Sequence, residues 1–388
     1  MKNDFHIIVI GGGGTGAAVI HDLTQRGFKT TLVERGELTS GTTGRHHGLL
    51  HSGGRYAVKD QESAIECIEE NMILRKIARE AIEINEGLFV AVTDEDAAYS
   101  EAFLAGCEEC GIPTRVLTNK QVLEMEPMLN PDLRMAVQVP DATFDAWRLP
   151  LHFFATAKHR GADIRPYNEV IGFIKQAGVV SGVRVLNHRT GQEYDLKGDL
   201  VVNASGPWAE KVTVMADAEV PIRPSPGVMV AVRGRLHNMV LNRLHASGDG
   251  DIIVPQRNLS VIGTSSWVVD DPDKLGVPEE HIQRMFEKGA EMVPVIKNVE
   301  FRAAWSAARP LIGSKGEDEG RELSRTFKCF DHKERDNVEG LVTITGGKAT
   351  TLRGMAETTV DVVCKKLGLE IPCRTKEEVL LPYRAYYN

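Results

Sequence analysis

Short apolar runs alternate with a helix-forming stretch at the start of the chain. The run Phe5–Ile10 predicts a buried parallel strand, because such strands are apolar on both faces. Ala17–Gln25 has the composition of a helix, and the next apolar run, Thr30–Val33, predicts a second strand. This strand–helix–strand order predicts the first unit of an α/β fold with a parallel sheet.

A long stretch with helical spacing follows at Gln61–Ile84, and we expect a single helix there. Its apolar positions are predicted to face the core: Ile65, Ile68, Met72, Ile73, Ile77 and Ile84.

Strand patterns dominate the second half of the chain. Short strands joined by turns are predicted over Asp163–Val202, and alternating apolar and polar residues predict antiparallel sheet over Pro221–Thr264. Helices are predicted over Trp208–Met215 and Pro278–Met292. Leu341–Thr345 is a last apolar strand, which we expect to return to the first sheet.

The first turn of the chain carries a dinucleotide fingerprint. Gly11, Gly13 and Gly16 fit G-x-G-x-x-G between the first strand and its helix, and Glu34 ends the next strand. Glycine lets a pyrophosphate approach the backbone at the helix N-terminus. A carboxylate at Glu34 accepts hydrogen bonds from a ribose and repels a 2′-phosphate.

Two loops have the composition of binding segments. Residues 36–56 are rich in Gly, Ser, Thr and His and show neither helical nor strand period. A segment of that length without regular structure is usually functional. Residues 346–351 form a Gly-rich loop before a helix that we expect to end near Leu367, and its N–H groups suit an anion or a carbonyl.

Composition and charge limit which partners and which cellular compartment we expect for this protein. The 388 residues include 46 basic and 54 acidic residues, a net charge of −8 without a long basic run, so we expect no nucleic acid partner. No apolar stretch reaches the ~18 residues of a membrane span, and the first strand begins too early for a signal peptide. We therefore expect a cytoplasmic protein, with membrane contact only peripheral or through partners at the inner face of the cell membrane.

The six cysteines do not predict a disulfide scaffold or a metal site. Cys107 and Cys110 resemble half of a metal or redox motif, but Ala102–Cys110 has a helical pattern and no second C-x-x-C completes four thiolates. We expect no bound metal.

The fingerprint alone does not separate NAD from FAD, but two other observations favour FAD. The nucleotide-binding half is discontinuous, since its remaining strands lie near residues 200 and 345. A second strand–G-x-G-x-x-G–helix is absent from the sequence, which argues against a reductase that binds both cofactors. A single large cofactor under a β-rich substrate domain fits better.

Several motifs together resemble the FAD-dependent glycerol-3-phosphate dehydrogenases, which belong to the D-amino-acid-oxidase-like flavoproteins. The resemblance begins in Ile7–Tyr56 and covers essentially the whole chain. Residues 45–53 are most similar to the anaerobic type, in which the flavoprotein is the A subunit of a three-subunit enzyme. The motifs that carry the resemblance lie at residues 40–45, 51–56, 262–264, 307–311 and 345–351.

The resemblance implies a Rossmann-like FAD-binding domain, discontinuous in sequence, with a mainly antiparallel substrate domain. We expect the FAD-binding domain at residues 1–90, 150–215 and 335–370, and the substrate domain at residues 91–149 and 216–334, followed by a tail at residues 371–388. The anaerobic A subunits are longer and carry a cysteine-rich C-terminal extension, which this sequence, ending at Asn388, does not include. We expect further redox subunits to take the electrons onward.

The resemblance also implies which residues hold FAD along its length. They are expected around the pyrophosphate and adenosine, along the path to the isoalloxazine, in the second nucleotide segment and at the pyrimidine end. In chain order the set is Gly11, Gly13, Gly14, Thr15, Gly16, Glu34, Arg35, Ser40, Thr42, Thr43, His47, Gly48, Leu49, His51, Val170, Ala204, Ser205, Gly206, Trp208, Gly347, Lys348, Ala349 and Thr350.

The implied substrate is a phosphate ester with a charge near −2, which requires cationic hydrogen-bond donors. Arginine suits phosphate because two N–H bonds form at once. The candidates are Arg55, Arg309 and Arg325, with Lys348 and Tyr56 beside them. The alternative for each arginine is a structural ion pair, and for the tyrosine a place in the core.

Oxidation of glycerol 3-phosphate at C2 sends a hydride to flavin N5 and a proton to a base. His51 is the first candidate base and His47 the second, since histidine titrates near neutral pH. Arg309 and Lys348 complete the expected catalytic set. The alternative is that these histidines only pack around the flavin.

Two other functions remain open at this point. A 2-hydroxy-acid or amino-acid oxidoreductase of the same superfamily also needs arginine, here for a carboxylate. A flavin-bound assembly subunit without activity of its own is the alternative of another class.

Overall fold

In the computed structural model, which describes residues 4–313 and 326–388, the strand predicted at Phe5–Ile10 is found at His6–Ile10. The strands in this part of the chain are β1 His6–Ile10, β2 Lys29–Glu34, β3 Leu49–Leu50, β4 Ile82–Glu83, β5 Gly87–Ala91, β6 Arg115–Thr118, β7 Met135–Val139, β8 Ala142–Phe144, β9 Asp163–Pro166, β10 Asn168–Gln176, β11 Val179–Asn187, β12 Glu193–Lys197, β13 Leu200–Asn203, β14 Ile222–Arg233, β15 Val240–Arg243, β16 Ile252–Gln256, β17 Leu259–Gly263, β18 Phe301–Ile312, β19 Phe327–Asp331 and β20 Leu341–Gly346.

The helices connect and cover these strands. Their bounds are α1 Gly14–Gln25, α2 Gln61–Ile77, α3 Asp94–Ala98, α4 Ser100–Glu109, α5 Asn119–Met125, α6 Arg148–His159, α7 Ala209–Val214, α8 Glu279–Met292, α9 His332–Asp336 and α10 Leu352–Lys366. None of the helices in residues 4–313 and 326–388 has the length and apolar composition needed to cross a bilayer.

A six-stranded sheet carries the fingerprint. Its order is β19-β20-β13-β1-β2-β9, and all neighbours are parallel except β19 and β20. In the middle of the sheet, Ile8 lies between Val201 and Thr31. The strands near residues 200 and 345 therefore join the sheet of the first strand, as the sequence predicts, with β13 next to β1 and β20 next to β13. The carboxyl ends of three distant segments thus meet at one edge.

Helices α1, α6 and α10 pack on one face of this sheet. Their apolar sides share a core with β1, in which Ile7, Leu23, Phe153 and Val360 are buried. Gly16 allows α1 to approach β1 closely, because a Cβ atom at that position would lie 1.9 Å from the carbonyl oxygen of Gly11. The third glycine of the fingerprint thus sets the contact between helix and strand.

A second, eight-stranded sheet has the order β18-β14-β17-β16-β15-β5-β7-β6. Its neighbours are antiparallel except β15 and β5, so the prediction of mainly antiparallel sheet over Pro221–Thr264 holds with one exception. Helix α8 covers one face with Met285 and Met292, which are buried. Together with the mainly parallel sheet, this confirms the predicted fold class. The exact domain boundaries stay a prediction.

Two small sheets complete the fold. Strands β10, β11 and β12 form an antiparallel meander, and β3, β8 and β4 form a three-stranded sheet. This three-stranded sheet includes Leu49 and Leu50, which belong to the Gly- and His-rich loop 36–56. That loop is therefore fixed to the body of the protein at its far end.

The helix predicted over Gln61–Ile84 is too long. Helix α2 ends at Ile77, and Ile82 instead pairs with Phe144 in the small sheet, so that tertiary pairing overrides the helical pattern. Ile65, Met72 and Ile84 are 41%, 43% and 60% exposed, and placing them in the core was wrong. The buried face of α2 is instead formed by Ala64, Cys67, Ile68, Asn71, Leu74 and Ile77.

Candidate cofactor and substrate site

A cleft of about 1120 Å³ lies between the six-stranded and eight-stranded sheets, and residues of both line it. This volume lies slightly above the usual range for small-molecule sites, ~300–1,000 Å³, which suits a large ligand. Most of the residues predicted for the cofactor and substrate line it: Gly11, Gly13, Gly14, Thr15, Glu34, Arg35, Ser40, Thr42, Thr43, His47, Leu49, His51, Arg55, Tyr56, Val170, Ala204, Ser205, Gly206, Trp208, Arg309, Gly347, Lys348 and Ala349.

Four predicted residues do not belong to this lining. Gly16 packs α1 on β1, and a Cβ atom at Gly48 would lie 2.1 Å from Nε2 of Gln256. Thr350 is buried, and its hydroxyl oxygen accepts the backbone N–H of His51 at 3.1 Å. Arg325 lies outside the described residues. The first three therefore support the walls of the cleft.

The glycine loop leaves room on the cleft side. A Cβ atom at Gly13 would meet only the Thr43 side chain, at 3.0 Å, and one at Gly14 would have ordinary contacts of 3.6 Å or more. The N–H of Gly14, at the start of α1, donates to Thr43 Oγ1 at 2.9 Å. An anion at this helix N-terminus would find backbone N–H groups and the positive end of the helix dipole.

Glu34 is held in place by the backbone on both sides of it. One carboxylate oxygen accepts the N–H of Gly12 at 2.7 Å, and the other accepts the N–H of Gly36 at 2.8 Å. A carboxylate has about four lone-pair sites, so two remain for hydroxyl donors. This is the geometry that the predicted contact with a ribose requires.

At the other end of the cleft, Arg55 forms a buried ion pair. Its Nη2 lies 2.6 Å from Oδ1 of Asp251 and also donates to the carbonyl of Gly248 at 3.2 Å. Burial disfavours the guanidinium cation, but Asp251 outweighs it and raises the pKa of Arg55. Both contacts use Nη2, so the hydrogens of Nε and Nη1 are not spent on this pair.

Arg309 is fixed by oxygen atoms of the eight-stranded sheet. Its guanidinium donates to the carbonyls of Ser225, Pro226 and Ser265, each at 3.2 Å, and to the hydroxyl of Thr264. Gly227 makes room for it, because a Cβ atom there would lie 2.4 Å from Nη2. The sheet therefore orients a cation at the wall of the cleft.

Lys348 brings a third cation to the same end. Its Nζ lies 3.5 Å from Glu66 on α2 and 5.1 Å from the ring centre of Tyr56, and its side chain is only 7% exposed. Burial raises the pKa of Glu66, and the neighbouring ammonium opposes that shift. The ammonium thus stands between a carboxylate and an aromatic ring.

Three histidines of the 36–56 loop are half-buried next to these cations. Burial lowers the pKa of His46 to about 4 and that of His47 to about 3, where Arg309 and Arg55 add to the effect. Burial, with His47, Arg55 and Lys348 nearby, also lowers the pKa of His51 well below its usual value. All three imidazoles are consequently neutral at pH 7 and able to accept a proton.

Sequence reasoning missed the partners that orient these groups. Asp251 and Glu66 pair with Arg55 and Lys348, and Gln256 donates its amide to the carbonyls of His47 and Phe144 at 3.0 and 3.1 Å. Asp251 is 196 residues from Arg55 in the chain. No local motif connects such residues, so only the fold reveals the pairs.

A family model described as FAD dependent oxidoreductase matches residues 6–361. The chain belongs to the FAD-dependent oxidoreductase family. The predicted cofactor and family resemblance are thereby confirmed.

Two relatives and one solved structure show which members of this family the chain is similar to. This FAD-dependent oxidoreductase is 42% identical over 376 residues to the A subunit of anaerobic glycerol-3-phosphate dehydrogenase from Escherichia coli, covering 96% of this chain and 69% of the relative. It is 42% identical over 394 residues to the A1 subunit of the corresponding enzyme from Haloferax volcanii, covering 98% and 67%. The structure of glycerol-3-phosphate dehydrogenase from Bacillus halodurans complexed with FAD has a TM-score of 0.73 at 26% identity, covering 98% of this chain and 68% of that one.

The residues in the cleft fit FAD. Gly13 and Gly14 leave space beside the N-terminus of α1 for a pyrophosphate, and Glu34 presents its remaining lone pairs for a ribose. The loop at Gly347 and Ala349 precedes α10 and lines the same cleft, where its helix N-terminus suits the negative charge of a reduced flavin.

Proposed function

We propose that this FAD-dependent oxidoreductase oxidises sn-glycerol 3-phosphate to dihydroxyacetone phosphate. The observation that carries the proposal is the convergence of Arg55, Arg309 and Lys348 with the neutral His51 at one end of the cleft. The names of the relatives that match almost the whole chain support the same substrate.

The cations recognise the phosphate of the substrate. Arg309 is the main candidate, since it lines the cleft and is oriented by backbone and hydroxyl oxygens of the eight-stranded sheet. Arg55 and Lys348 each pair with a carboxylate. They therefore help to orient the phosphate through hydrogen bonds and add little net positive charge. A hydrogen bond to a charged group is worth ~1.5–3 kcal/mol, so two of them favour the phosphate ester over glycerol by ~3–6 kcal/mol.

His51 accepts the proton of the C2 hydroxyl while the C2 hydride leaves and the carbonyl forms. When bound, FAD would supply the two-electron acceptor, with N5 as the atom that would take the hydride. Half-buried beside Lys348 and Arg55, the free imidazole has a lowered pKa and is a weak base. A bound dianion stabilises the imidazolium and raises the pKa of His51, so the base gains strength only when the phosphate is in place.

Further redox subunits at the inner face of the cell membrane receive the electrons in this proposal. The naming of the relatives as A and A1 subunits supports an assembly of several chains. The proposal also keeps the predicted division into a discontinuous FAD-binding domain and a substrate domain.

The test is anaerobic reduction of the bound flavin, followed as bleaching of its visible absorbance. We expect glycerol 3-phosphate to bleach it, and glycerol and 2-hydroxyglutarate to do so poorly. Faster bleaching by the hydroxy acid would transfer the assignment to a 2-hydroxy-acid oxidoreductase. Bleaching by dithionite but by none of the three substrates would contradict the proposal and favour an assembly role.

A further inference from the structure

Residues 264–278 connect β17 to α8 without regular secondary structure, and we call them the clasp segment. Its first part is fixed to the eight-stranded sheet, because the N–H of Val269 donates to the carbonyl of Pro224 at 3.0 Å. Its second part lines the cleft through Pro272, Asp273, Leu275 and Val277. A segment of this length without helix or strand is usually functional.

Asp273 joins the clasp segment to the six-stranded sheet. One of its oxygens accepts from Arg35 at 2.7 Å and from the indole N–H of Trp208 at 2.8 Å, and the other accepts from Lys211 at 2.8 Å. Lys211 also contacts Asp271 at 2.7 Å. Burial opposes ionisation, yet these donors hold the pKa of Asp273 well below its usual range.

The three donors stand at the nucleotide end of the cleft. Arg35 directly follows Glu34, whose carboxylate faces the predicted ribose position, while Trp208 and Lys211 follow β13. The Arg35 guanidinium lies 4.6 Å from the ring centre of Trp208, so the two side chains form one stacked surface. The Asp273 carboxylate therefore bridges the loops after β2 and β13, on either side of the glycine loop, and ties both to the opposite wall.

We propose that Asp273 is a positioning residue of the FAD site, which holds the clasp segment across the adenosine end of the bound cofactor and slows its release. The adenosine leaves the cleft only after the contacts to Arg35, Trp208 and Lys211 break. A single exposed ion pair contributes little, but one carboxylate with three donors forms a network whose members order one another. This role concerns the cofactor alone and is independent of the substrate.

The experiment measures release of FAD from the purified holoprotein as the rise in flavin fluorescence after dilution. We expect Asp273→Asn to release FAD about tenfold faster than the wild type at 0.05 M NaCl, since it loses charge-assisted hydrogen bonds. Release from the wild type should accelerate between about 0.05 and 0.5 M NaCl, where screening shortens from more than ~10 Å toward ~4 Å, and release from the variant should change much less.

A matched control lies in the same segment. Asp270→Asn makes the same change of charge at an exposed position, and we expect wild-type release. Lys211→Gln should accelerate release in the wild-type background and have a smaller further effect in Asp273→Asn, where only its contact with Asp271 remains to be lost. The proposal would be overturned if Asp273→Asn and the wild type released FAD at the same rate. It would also be overturned if Asp270→Asn accelerated release as much as Asp273→Asn does.

Discussion

Arg55 and Asp251 form an ion pair of 2.6 Å in which the two side chains are only 9% and 1% exposed. Each charge depends on the other, because an unpaired buried charge is far more costly than a neutral pair. The pair therefore ties the loop at residues 51–56 to the start of β16, and it makes the interpretation of any Arg55 variant depend on Asp251.

We predict that Arg55→Gln and Asp251→Asn each lower the free energy of unfolding by about 3 kcal/mol, since each leaves a buried charge without its partner. The double variant should recover a substantial part of that loss. Urea unfolding of the apoprotein checks this. Additive losses in the double variant would show that the two side chains do not stabilise each other. Turnover should stay low in both variants that lack Arg55.

Arg309→Ala should lower kcat/KM for glycerol 3-phosphate at least ~10²-fold, equivalent to ~3 kcal/mol of charged hydrogen bonding. Arg302→Ala is the matched control, because Arg302 lies on the same strand but is exposed and pairs with Glu300 at 2.6 Å. Dye-coupled turnover of both variants, measured over a range of glycerol 3-phosphate concentrations, tests this prediction. A similar decrease in both would indicate damage to β18 and not loss of a substrate contact.

Gly13→Val should yield a folded but colourless protein, because the added side chain enters the space beside the N-terminus of α1 that FAD needs. Gly16→Val should also be colourless, but through loss of folding, since its Cβ atom would lie 1.9 Å from the Gly11 carbonyl oxygen. Visible absorbance and circular dichroism together separate the two effects.

Gly172→Val serves as control for the Gly13 variant. Its Cβ atom would meet only Arg184 Cβ, at 4.0 Å, and the protein should remain yellow. A yellow Gly13→Val protein with normal FAD content would contradict the assignment of the glycine loop.

Stability should fall as the pH decreases below ~6.5, because the unfolded state then protonates histidines that the folded state keeps neutral. Burial lowers the pKa of His47 to about 3, so its contribution to the loss continues down to that pH. Each such histidine lowers the free energy of unfolding by up to ~1.4 kcal/mol for each unit that the pH decreases, or by up to ~2 kcal/mol between pH 6.5 and 5.

His47→Gln should therefore make the free energy of unfolding of the apoprotein less dependent on pH over this range. His159→Gln, at an exposed position at the end of α6, is the control and should leave the pH dependence unchanged. An unaltered slope in His47→Gln would show that His47 is not held neutral by the fold.

The isolated chain should reduce an artificial dye, and reduction of quinone in liposomes should require an added redox subunit. The expectation follows from the naming of its relatives as A and A1 subunits. Both rates are measured with glycerol 3-phosphate on the same preparation. A quinone rate equal to the dye rate without another subunit would contradict the proposed assembly.

Much of the first sheet could be predicted, because its signals are local. The strand, glycine turn and acid of the fingerprint lie within residues 5–34, and the structure places β1, α1 and β2 there. Helices α7, α8 and α10 also lie where the pattern indicates. In contrast, Gln61–Ile84 had no clear stop signal, and pairing of Ile82 with Phe144, far away in sequence, ends the helix.

The candidate site was predictable only in part. Short motifs pointed to His51, Arg55 and Lys348, which lie in Gly-rich loops, and to Arg309 in the motif at residues 307–311. Asp251 and Asp273 lie in otherwise ordinary segments, and their importance arises from contacts across 196 and 238 residues. Burial and pairing of that kind depend on the completed fold.

The neighbouring positions of β1, β13 and β20 have a consequence for biosynthesis. The glycine loop after β1 is made first, but the strand that completes its sheet and the loop at Gly347 are made more than 300 residues later. At ~5–20 residues per second, a ribosome needs ~15–60 s to travel from Glu34 to Gly346. During that interval the nascent chain exposes an unfinished sheet edge, so FAD can be captured only after the loop at Gly347 has been made.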